Sequence, residues 1–145
     1  MPTKKEQFLE QIKSVKAAHK KLMESIHLTL NGITTDYYKP VSKYECKFGK
    51  WLYDGDLQKI ILGPQIYERL ENTHALWHQT YAKIYNLLFP EKKGIGKFFG
   101  GKPKSQDLDK AKAYYDDLQQ LTDKLMRELE VAQKRVQALS ESKFN

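Results

Sequence analysis

The strongest constraint on the fold is a run of inward-facing positions near the C-terminus, separated by alternating steps of three and four residues. That spacing keeps one face of an α-helix apolar over its whole length. The positions are Leu108, Ala111, Tyr115, Leu118, Thr122, Leu125, Leu129, Ala132, Val136 and Leu139. The sequence therefore predicts a long final helix that begins at Asp107 and runs almost to the end of the chain.

Two earlier segments have the same helical spacing. On the first helix the inward positions are Phe8, Ile12, Val15, His19, Leu22 and Ile26. On a later helix they are Tyr67, Leu70, His74, Trp77, Tyr81, Ile84 and Leu88. Pro64 is well placed to begin the later helix and Pro90 to end it, because proline fits the first turn and cannot continue a helix.

A short helix is predicted between these two. Ser42 and Glu45 match a capping box, which places its start near Lys43, and the turn-forming pair Asp54-Gly55 ends it. No segment has the alternation of a strand. The sequence thus predicts an all-α fold resembling a four-helix bundle, with three long helices, one short helix and the longest helix at the C-terminus.

Composition narrows the classes of partner. The chain has 145 residues and a formal net charge of +7, but only three of its 25 basic residues are arginine. Sequence-specific binding of nucleic acid relies on arginine, so we interpret the lysines as a solvated surface. The apolar runs are too short to span a membrane. With a single cysteine and a polar N-terminus, the protein is expected to be cytoplasmic.

The histidines are placed unusually. His19 and His74 lie on inward faces of two helices, His78 lies one turn beyond His74, and Cys46 falls in the opening turns of the short helix. His27 is off the seam and is expected to be exposed. A single buried histidine is ordinarily a hydrogen-bonded core residue. Four buried polar groups without partners would each cost about 1 to 3 kcal/mol, and a metal is the simplest partner they could share.

One thiolate and three neutral imidazoles are a donor set that Zn²⁺ takes in closed tetrahedral sites. We therefore expect Zn²⁺ to be bound by His19, Cys46, His74 and His78. A helical zinc protease carries glutamate directly after its first histidine as general base, whereas this chain has Ala75. Paired di-iron motifs and a nucleotide-binding loop are also missing. The sequence predicts no enzymatic activity.

The residues around the cysteine support such a site. The N-terminus of a helix favours an anion, so Cys46 is expected to form a thiolate readily. Gly49, one turn later, is expected to leave space for another helix or its imidazole rings. Phe48 and Trp51 are expected to pack around the site and exclude water. The alternative for this stretch is an ordinary buried cysteine beside a close-packed glycine.

These elements together resemble the chemoreceptor zinc-binding (CZB) domain family. The resemblance rests on His19, on the box formed by Cys46, Phe48, Gly49 and Trp51, and on the pair His74 and His78. It implies one Zn²⁺ held by three histidines and one cysteine. Such domains are found in bacterial chemoreceptors and diguanylate cyclases, often as homodimers, and are described as sensing zinc or oxidants such as hypochlorous acid.

We accordingly divide the chain into a zinc-binding helical core (residues 1–90), a basic connector rich in glycine and lysine (91–106) and the long C-terminal helix (107–145). That helix is expected either to complete the bundle or to mediate dimerisation. The sequence contains no chemoreceptor signalling hairpin or cyclase domain, so a bacterial zinc or redox sensor of this kind is expected to signal in trans to a chemotaxis or cyclic-di-GMP component, or through a further segment outside this sequence. The alternative function is a helical adaptor in which zinc is a structural staple. The connector could also touch an anionic membrane or nucleic acid, but an ordinary loop is the preferred interpretation.

Overall fold

The computed structural model describes residues 1–32, 40–89 and 105–145. Five α-helices follow in order: α1 (Lys4–Leu30), α2 (Lys47–Leu52), α3 (Leu57–Leu62), α4 (Pro64–Leu88) and α5 (Ser105–Ala138). A short 3-10 helix (Glu141–Phe144) ends the chain. These ranges contain no strand, and the predicted all-α fold with a long C-terminal helix is confirmed. Pro90 and nearly all of the predicted connector lie outside the described residues.

The three long helices pack together, with α5 against both α4 and α1. The buried face of α5 follows the predicted seam: Ala111, Leu118, Thr122, Leu125, Leu129, Ala132 and Val136. This face of α5 therefore packs against other helices of the same chain. Among the helices of the three described ranges, none combines the length and the apolar character needed to cross a membrane.

The apolar core is divided into two clusters. One contains Phe8, Val15, Leu70 and Leu125, and the other contains Met23, Trp77, Tyr81, Ala111 and Leu118. Between them each long helix contributes a polar side chain: His19 from α1, His74 and His78 from α4, and Thr122 from α5. The bundle thus has a buried polar layer between two apolar layers.

The predicted start of the short helix is wrong by about one turn. Ser42 does not cap a helix at Lys43. Instead its backbone carbonyl accepts hydrogen bonds from the amides of Glu45 and Cys46, at 3.0 and 3.3 Å, in a turn that is not continued. Helix α2 begins at Lys47 with Cys46 as its N-cap, and the Cys46 Sγ accepts a hydrogen bond from the Gly49 amide at 3.2 Å. The sulfur takes the position that a serine hydroxyl usually fills.

The apolar stretch after Gly55 also forms a helix, α3, which the sequence pattern did not reveal. It is six residues long, too short for a helical period to be distinguished from any short apolar run. Gly63 then reverses the chain with φ +82°, and Pro64 occupies the first turn of α4 as predicted.

Candidate metal centre

Three histidines meet inside the polar layer. His19, His74 and His78 are 3%, 0% and 6% exposed, and each offers a ring nitrogen within 4.8 Å of the others. The helical spacing explains this meeting: His19 replaces an apolar residue on the buried face of α1, and His74 and His78 are one turn apart on α4. Nε2 of His78 lies 2.9 Å from Nε2 of His74.

Cys46 joins them from the N-terminus of α2. Its Sγ lies 3.2 Å from Nε2 of His74. Cys46 precedes the first residue of α2, so the turn before the helix places the sulfur next to His74 on α4. Of the four residues expected to bind metal, the three histidines thus lie within 4.8 Å of one another, and Cys46 contacts one of them, His74.

Backbone carbonyls fix the orientation of two of the rings. Nδ1 of His19 is 3.0 Å from the carbonyl oxygen of Val15, and Nδ1 of His78 is 3.0 Å from that of Val41. A carbonyl only accepts, so each Nδ1 carries the proton and each Nε2 presents a lone pair to the shared space. Nε2 of His19 is buried and has no hydrogen-bond partner within the structure described. An unpaired buried acceptor is costly unless a cation or a proton faces it.

The imidazoles are held in the neutral form that a metal requires. Burial is the main cause: it lowers the pKa of His19, lowers that of His74 to about 2 and lowers that of His78 to about 4. Repulsion from neighbouring rings adds to this effect for His74 and His78. At neutral pH none of the three needs to lose a proton before it can bind a cation.

The thiol behaves differently from the prediction. Burial raises the pKa of Cys46, although hydrogen bonds from the backbone amides of Gly49 and Phe48 and the charge of Lys50 oppose the rise. The expectation that a helix N-terminus would make this residue a ready thiolate is therefore wrong for the metal-free protein. The cost of removing an anion from water exceeds what the free amides of a six-residue helix return. A cation in the site would reverse that balance.

Two aromatic rings form the walls of the site. Phe48 is 1% exposed and meets the His74 ring edge to face, with centroids 4.7 Å apart. Trp77 is fully buried, and its ring centroid lies 4.7 Å from that of His19 and 5.1 Å from that of His78. Its Nε1 donates a hydrogen bond to Thr122 Oγ1 at 2.8 Å, which ties the site to α5.

Trp77 was assigned only to the core from its sequence, although its place between His74 and His78 could have indicated a second role. Trp51 lies further out. Its ring packs against Phe8 at 4.7 Å and Phe48 at 5.9 Å, so it supports the wall from behind.

Gly49 is needed for a close approach, but to a different neighbour from the one expected. A Cβ atom on Gly49 would lie 1.6 Å from the carbonyl oxygen of Lys43 and 3.3 Å from Cα of Tyr44. The space is used by the turn that leads into α2, and not by an imidazole ring or another helix. Gly49 thereby allows that turn to fold back and place the Cys46 sulfur over the Gly49 amide.

The site borders a cavity of about 300 Å³. Its walls include His19, Cys46 and His78, and its rim includes the exposed residues Gln11 and Ser14 of α1. Cys46 therefore lines a cavity that also reaches exposed residues of α1. His27, as predicted, is exposed; it contacts Asn31 and Tyr115 and takes no part in the site.

Comparison with known proteins agrees with this geometry. A family model described as the chemoreceptor zinc-binding domain, CZB, matches residues 19–85. This match supports the assignment of residues 19–85 to the CZB family. The match begins at His19 and includes Cys46, His74 and His78, while the first half of α1 and all of α5 lie outside it. No curated protein and no solved structure matched the chain.

The donor set fits the metal in the family's description. Three neutral imidazole nitrogens and one sulfur suit Zn²⁺, and the unpartnered Nε2 of His19 is an acceptor in need of a cation. CZB domains are zinc-binding sensory domains and are not a known enzyme family. The absence of enzymatic activity in this chain stays a prediction.

Proposed function

We propose that the protein binds one Zn²⁺ through His19, Cys46, His74 and His78 and acts as a zinc or redox sensor. The observation that carries this proposal is the unpartnered Nε2 of His19, buried against the imidazoles of His74 and His78. Such a group of acceptors is unfavourable by itself and favourable around a cation. When bound, the metal supplies the positive charge that keeps the Cys46 sulfur deprotonated.

Cys46 is the part of the site suited to respond. The three imidazoles sit on long helices whose buried faces extend far beyond the site, whereas Cys46 caps a helix of six residues. Cys46 also borders the cavity through which a small oxidant would arrive. A change at the sulfur can therefore alter the position of α2 without unfolding the long helices.

The redox step that we propose uses a peroxide or hypochlorous acid as oxidant. With hydrogen peroxide, the Cys46 thiolate attacks one oxygen, an S–O bond forms and the O–O bond breaks. The departing hydroxide takes a proton from solvent to become water. The sulfur is oxidised to sulfenic acid and the peroxide is reduced. The site then loses its strongest anionic donor, and the contact between Cys46 and His74 is weakened.

The recipient of the signal is a further part of the proposal. The family's description as a chemoreceptor domain supports a chemotaxis component. A diguanylate cyclase acted on in trans is the other expectation from the resemblance, together with a homodimeric state and a cytoplasmic location. The alternative function is a helical adaptor in which zinc is a permanent staple and Cys46 has no redox role.

Native mass spectrometry tests these functions directly. Protein purified without chelators is expected to carry one zinc ion per chain. Titration with hydrogen peroxide is expected to add oxygen to Cys46 and to release the zinc in parallel. The matched control is Cys46→His, which keeps a metal-binding side chain but removes the oxidisable sulfur, and it is expected to retain zinc under the same titration. Wild-type protein that binds no zinc contradicts the proposal, and zinc that is retained through peroxide treatment contradicts the redox role of Cys46.

A further inference from the structure

We infer that Lys43 and Glu71 are positioning residues for Cys46, because their ion pair holds the cysteine-bearing turn against the helix that carries His74 and His78. This inference rests on the proposed zinc site. Neither residue belongs to the expected donor set, and in the described part of the chain neither is hydrogen-bonded to the three imidazoles. Their contribution would be to set where the sulfur lies.

The ion pair joins the same two segments as the cysteine–histidine contact. Lys43 Nζ lies 2.7 Å from Glu71 Oε1. Lys43 precedes Cys46 by three residues and Glu71 precedes His74 by three residues, which on a helix places Glu71 one turn before His74. The two contacts are therefore parallel links between the turn and α4, about one helical turn apart.

Lys43 is also connected to the sulfur through its own backbone. Its carbonyl oxygen lies 3.6 Å from Cys46 Sγ and directly against Gly49. The position of Lys43 thus determines the position of the turn that caps α2. A shift of this carbonyl moves the sulfur and the Gly49 amide that donates to it.

The ammonium group is held on more than one side. Besides Glu71, Nζ of Lys43 lies 5.0 Å from the ring centroid of Tyr44 and 5.9 Å from that of Tyr53, and these two rings are 5.0 Å apart. The Lys43 and Glu71 side chains are 27% and 23% exposed. An ion pair that is mostly covered and flanked by aromatic rings is better defined than the freely exposed pairs that contribute little to stability.

A second observation makes Glu71 distinctive. Its Oε2 is buried and has no hydrogen-bond partner in the described part of the chain. A carboxylate with one oxygen committed to Lys43 and the other buried depends strongly on that single partner. The histidines lie on the neighbouring side of α4. The ion pair between Lys43 and Glu71 therefore holds the turn close to the metal site.

The test compares Glu71→Gln with Glu68→Gln. Glu68 is an exposed residue of the same helix, three positions earlier, so the control removes the same charge from α4 without touching the turn. Zinc affinity is measured by competition with a chromophoric chelator. Residues that orient a metal ligand from behind are typically worth 10- to 100-fold in affinity. We expect Glu71→Gln to weaken zinc binding by roughly tenfold and Glu68→Gln to leave it unchanged.

Two further measurements separate positioning from simple stability. Lys43→Met is expected to weaken zinc binding as much as Glu71→Gln, the double variant no more than either alone, and Lys43→Arg to restore most of the affinity. Cobalt substituted for zinc is expected to show a weaker sulfur-to-metal absorption band in Glu71→Gln. The metal-free Glu71→Gln protein is expected to melt at a lower temperature than Glu68→Gln but to stay folded at the assay temperature, so that the cobalt band reports the position of the sulfur in a folded protein.

The outcomes distinguish the two proposals. Wild-type protein that binds no zinc overturns the proposed function and this inference with it. Wild-type protein that binds zinc, with Glu71→Gln of equal affinity and an unchanged cobalt spectrum, overturns the inference alone. Additive losses in the double variant would likewise contradict a shared role for Lys43 and Glu71.

Discussion

The long helices α1 and α4 and the segment from Val41 to Leu52 place their site residues by different means. His19, His74 and His78 occupy buried positions on helices that bury seven or eight residues each along their length. Cys46 depends on a turn followed by six helical residues, of which three are buried. The histidines are fixed by the same packing that folds the bundle. The cysteine is fixed by contacts that serve the site itself.

This difference suggests which part of the centre is built to change. Loss of the sulfur contact removes little of the packing between α1, α4 and α5. It does remove one of the links that hold the turn, the others being the hydrogen bond from His78 to the Val41 carbonyl and the ion pair of Lys43 with Glu71. We call the three long helices, α1, α4 and α5, the frame. The histidines of the frame supply three neutral nitrogen donors, and the segment from Val41 to Leu52 supplies the anionic sulfur donor.

The largest effect is expected from Gly49→Ala, which should disrupt the short segment while sparing the frame. The added Cβ would lie 1.6 Å from a backbone oxygen, so the turn must move and the sulfur with it. We expect zinc affinity to fall by more than 100-fold, beyond the usual cost of altering a residue behind a ligand. Competition with a chelator measures the loss.

The control for that substitution is Gly55→Ala. Gly55 has φ +90° but no atom within 4 Å of an added Cβ, so its variant carries a conformational cost without a collision. It is expected to lower the melting temperature slightly and to keep zinc affinity within a few-fold of wild type. Equal losses of affinity in both variants would show that the close approach of Lys43 to Gly49 is unimportant.

A substitution in the frame is expected to lower the stability of the fold while leaving zinc binding in place. Leu125 is fully buried on α5 and belongs to the apolar cluster that also contains Phe8 and Leu70. Leu125→Ala is expected to lower the free energy of unfolding by about 2 to 5 kcal/mol. Folded protein should still bind one zinc ion per chain. Urea unfolding with parallel metal analysis checks both results, and a folded variant without zinc would contradict the separation of frame and segment.

Acid should weaken the metal-free frame. In the unfolded chain histidine takes up a proton near pH 6.5, whereas burial keeps the pKa of His78 at about 4 and that of His74 at about 2. The stabilising contribution of the neutral rings is complete above pH 6.5 and is lost as the pH falls toward these lower values. We expect the free energy of unfolding to fall by up to about 1.4 kcal/mol per pH unit for each such histidine.

Urea unfolding of the metal-free protein at pH 7 and pH 5 measures this change. His78→Gln should reduce the difference between the two pH values. His27→Gln is the matched control because His27 is exposed, and it should leave the difference as in wild type. A stability that is independent of pH over this range would contradict the burial of neutral imidazoles.

The smallest effect is expected from Trp77→Phe. The substitution keeps an aromatic wall beside His19 and His78 but removes the hydrogen bond to Thr122. We expect a loss of about 0.5 to 1.5 kcal/mol in the free energy of unfolding from the lost hydrogen bond, because the Thr122 hydroxyl still donates to the Leu118 carbonyl. Zinc affinity is expected to change less than tenfold. Thr122→Val in the Trp77→Phe background should recover part of the stability, and no recovery would show that the hydrogen bond contributes little.

The sequence was sufficient to predict the long helices of the frame, because the helical period of their apolar residues shows which face is buried. His19, His74 and Leu125 could each be placed by counting steps of three and four residues. On α1 the prediction slipped by one position where it chose Leu22, since Met23 is the more buried side chain. The resemblance carried by Cys46, Gly49 and the histidines then identified the family, which the match to residues 19–85 supports.

The short segment was harder to predict because its geometry depends on tertiary contacts. Ser42 and Glu45 satisfied the local rule for a helix start, yet the sulfur of Cys46 became the cap. The requirement for glycine at position 49 was visible, but the neighbour that imposes it, the Lys43 carbonyl, was not. The acidity of Cys46 was misjudged for the same reason, because burial could not be weighed against the helix terminus from sequence alone.

X-ray absorption at the zinc edge tests the central claim most directly, because it reports the atoms around the metal. For the wild-type protein we predict a shell of one sulfur at about 2.3 Å and three nitrogens at about 2.0 to 2.1 Å. Cys46→His should replace the sulfur by a fourth nitrogen. A wild-type spectrum without a sulfur neighbour, or with oxygen donors in place of the imidazoles, would contradict the site formed by His19, Cys46, His74 and His78.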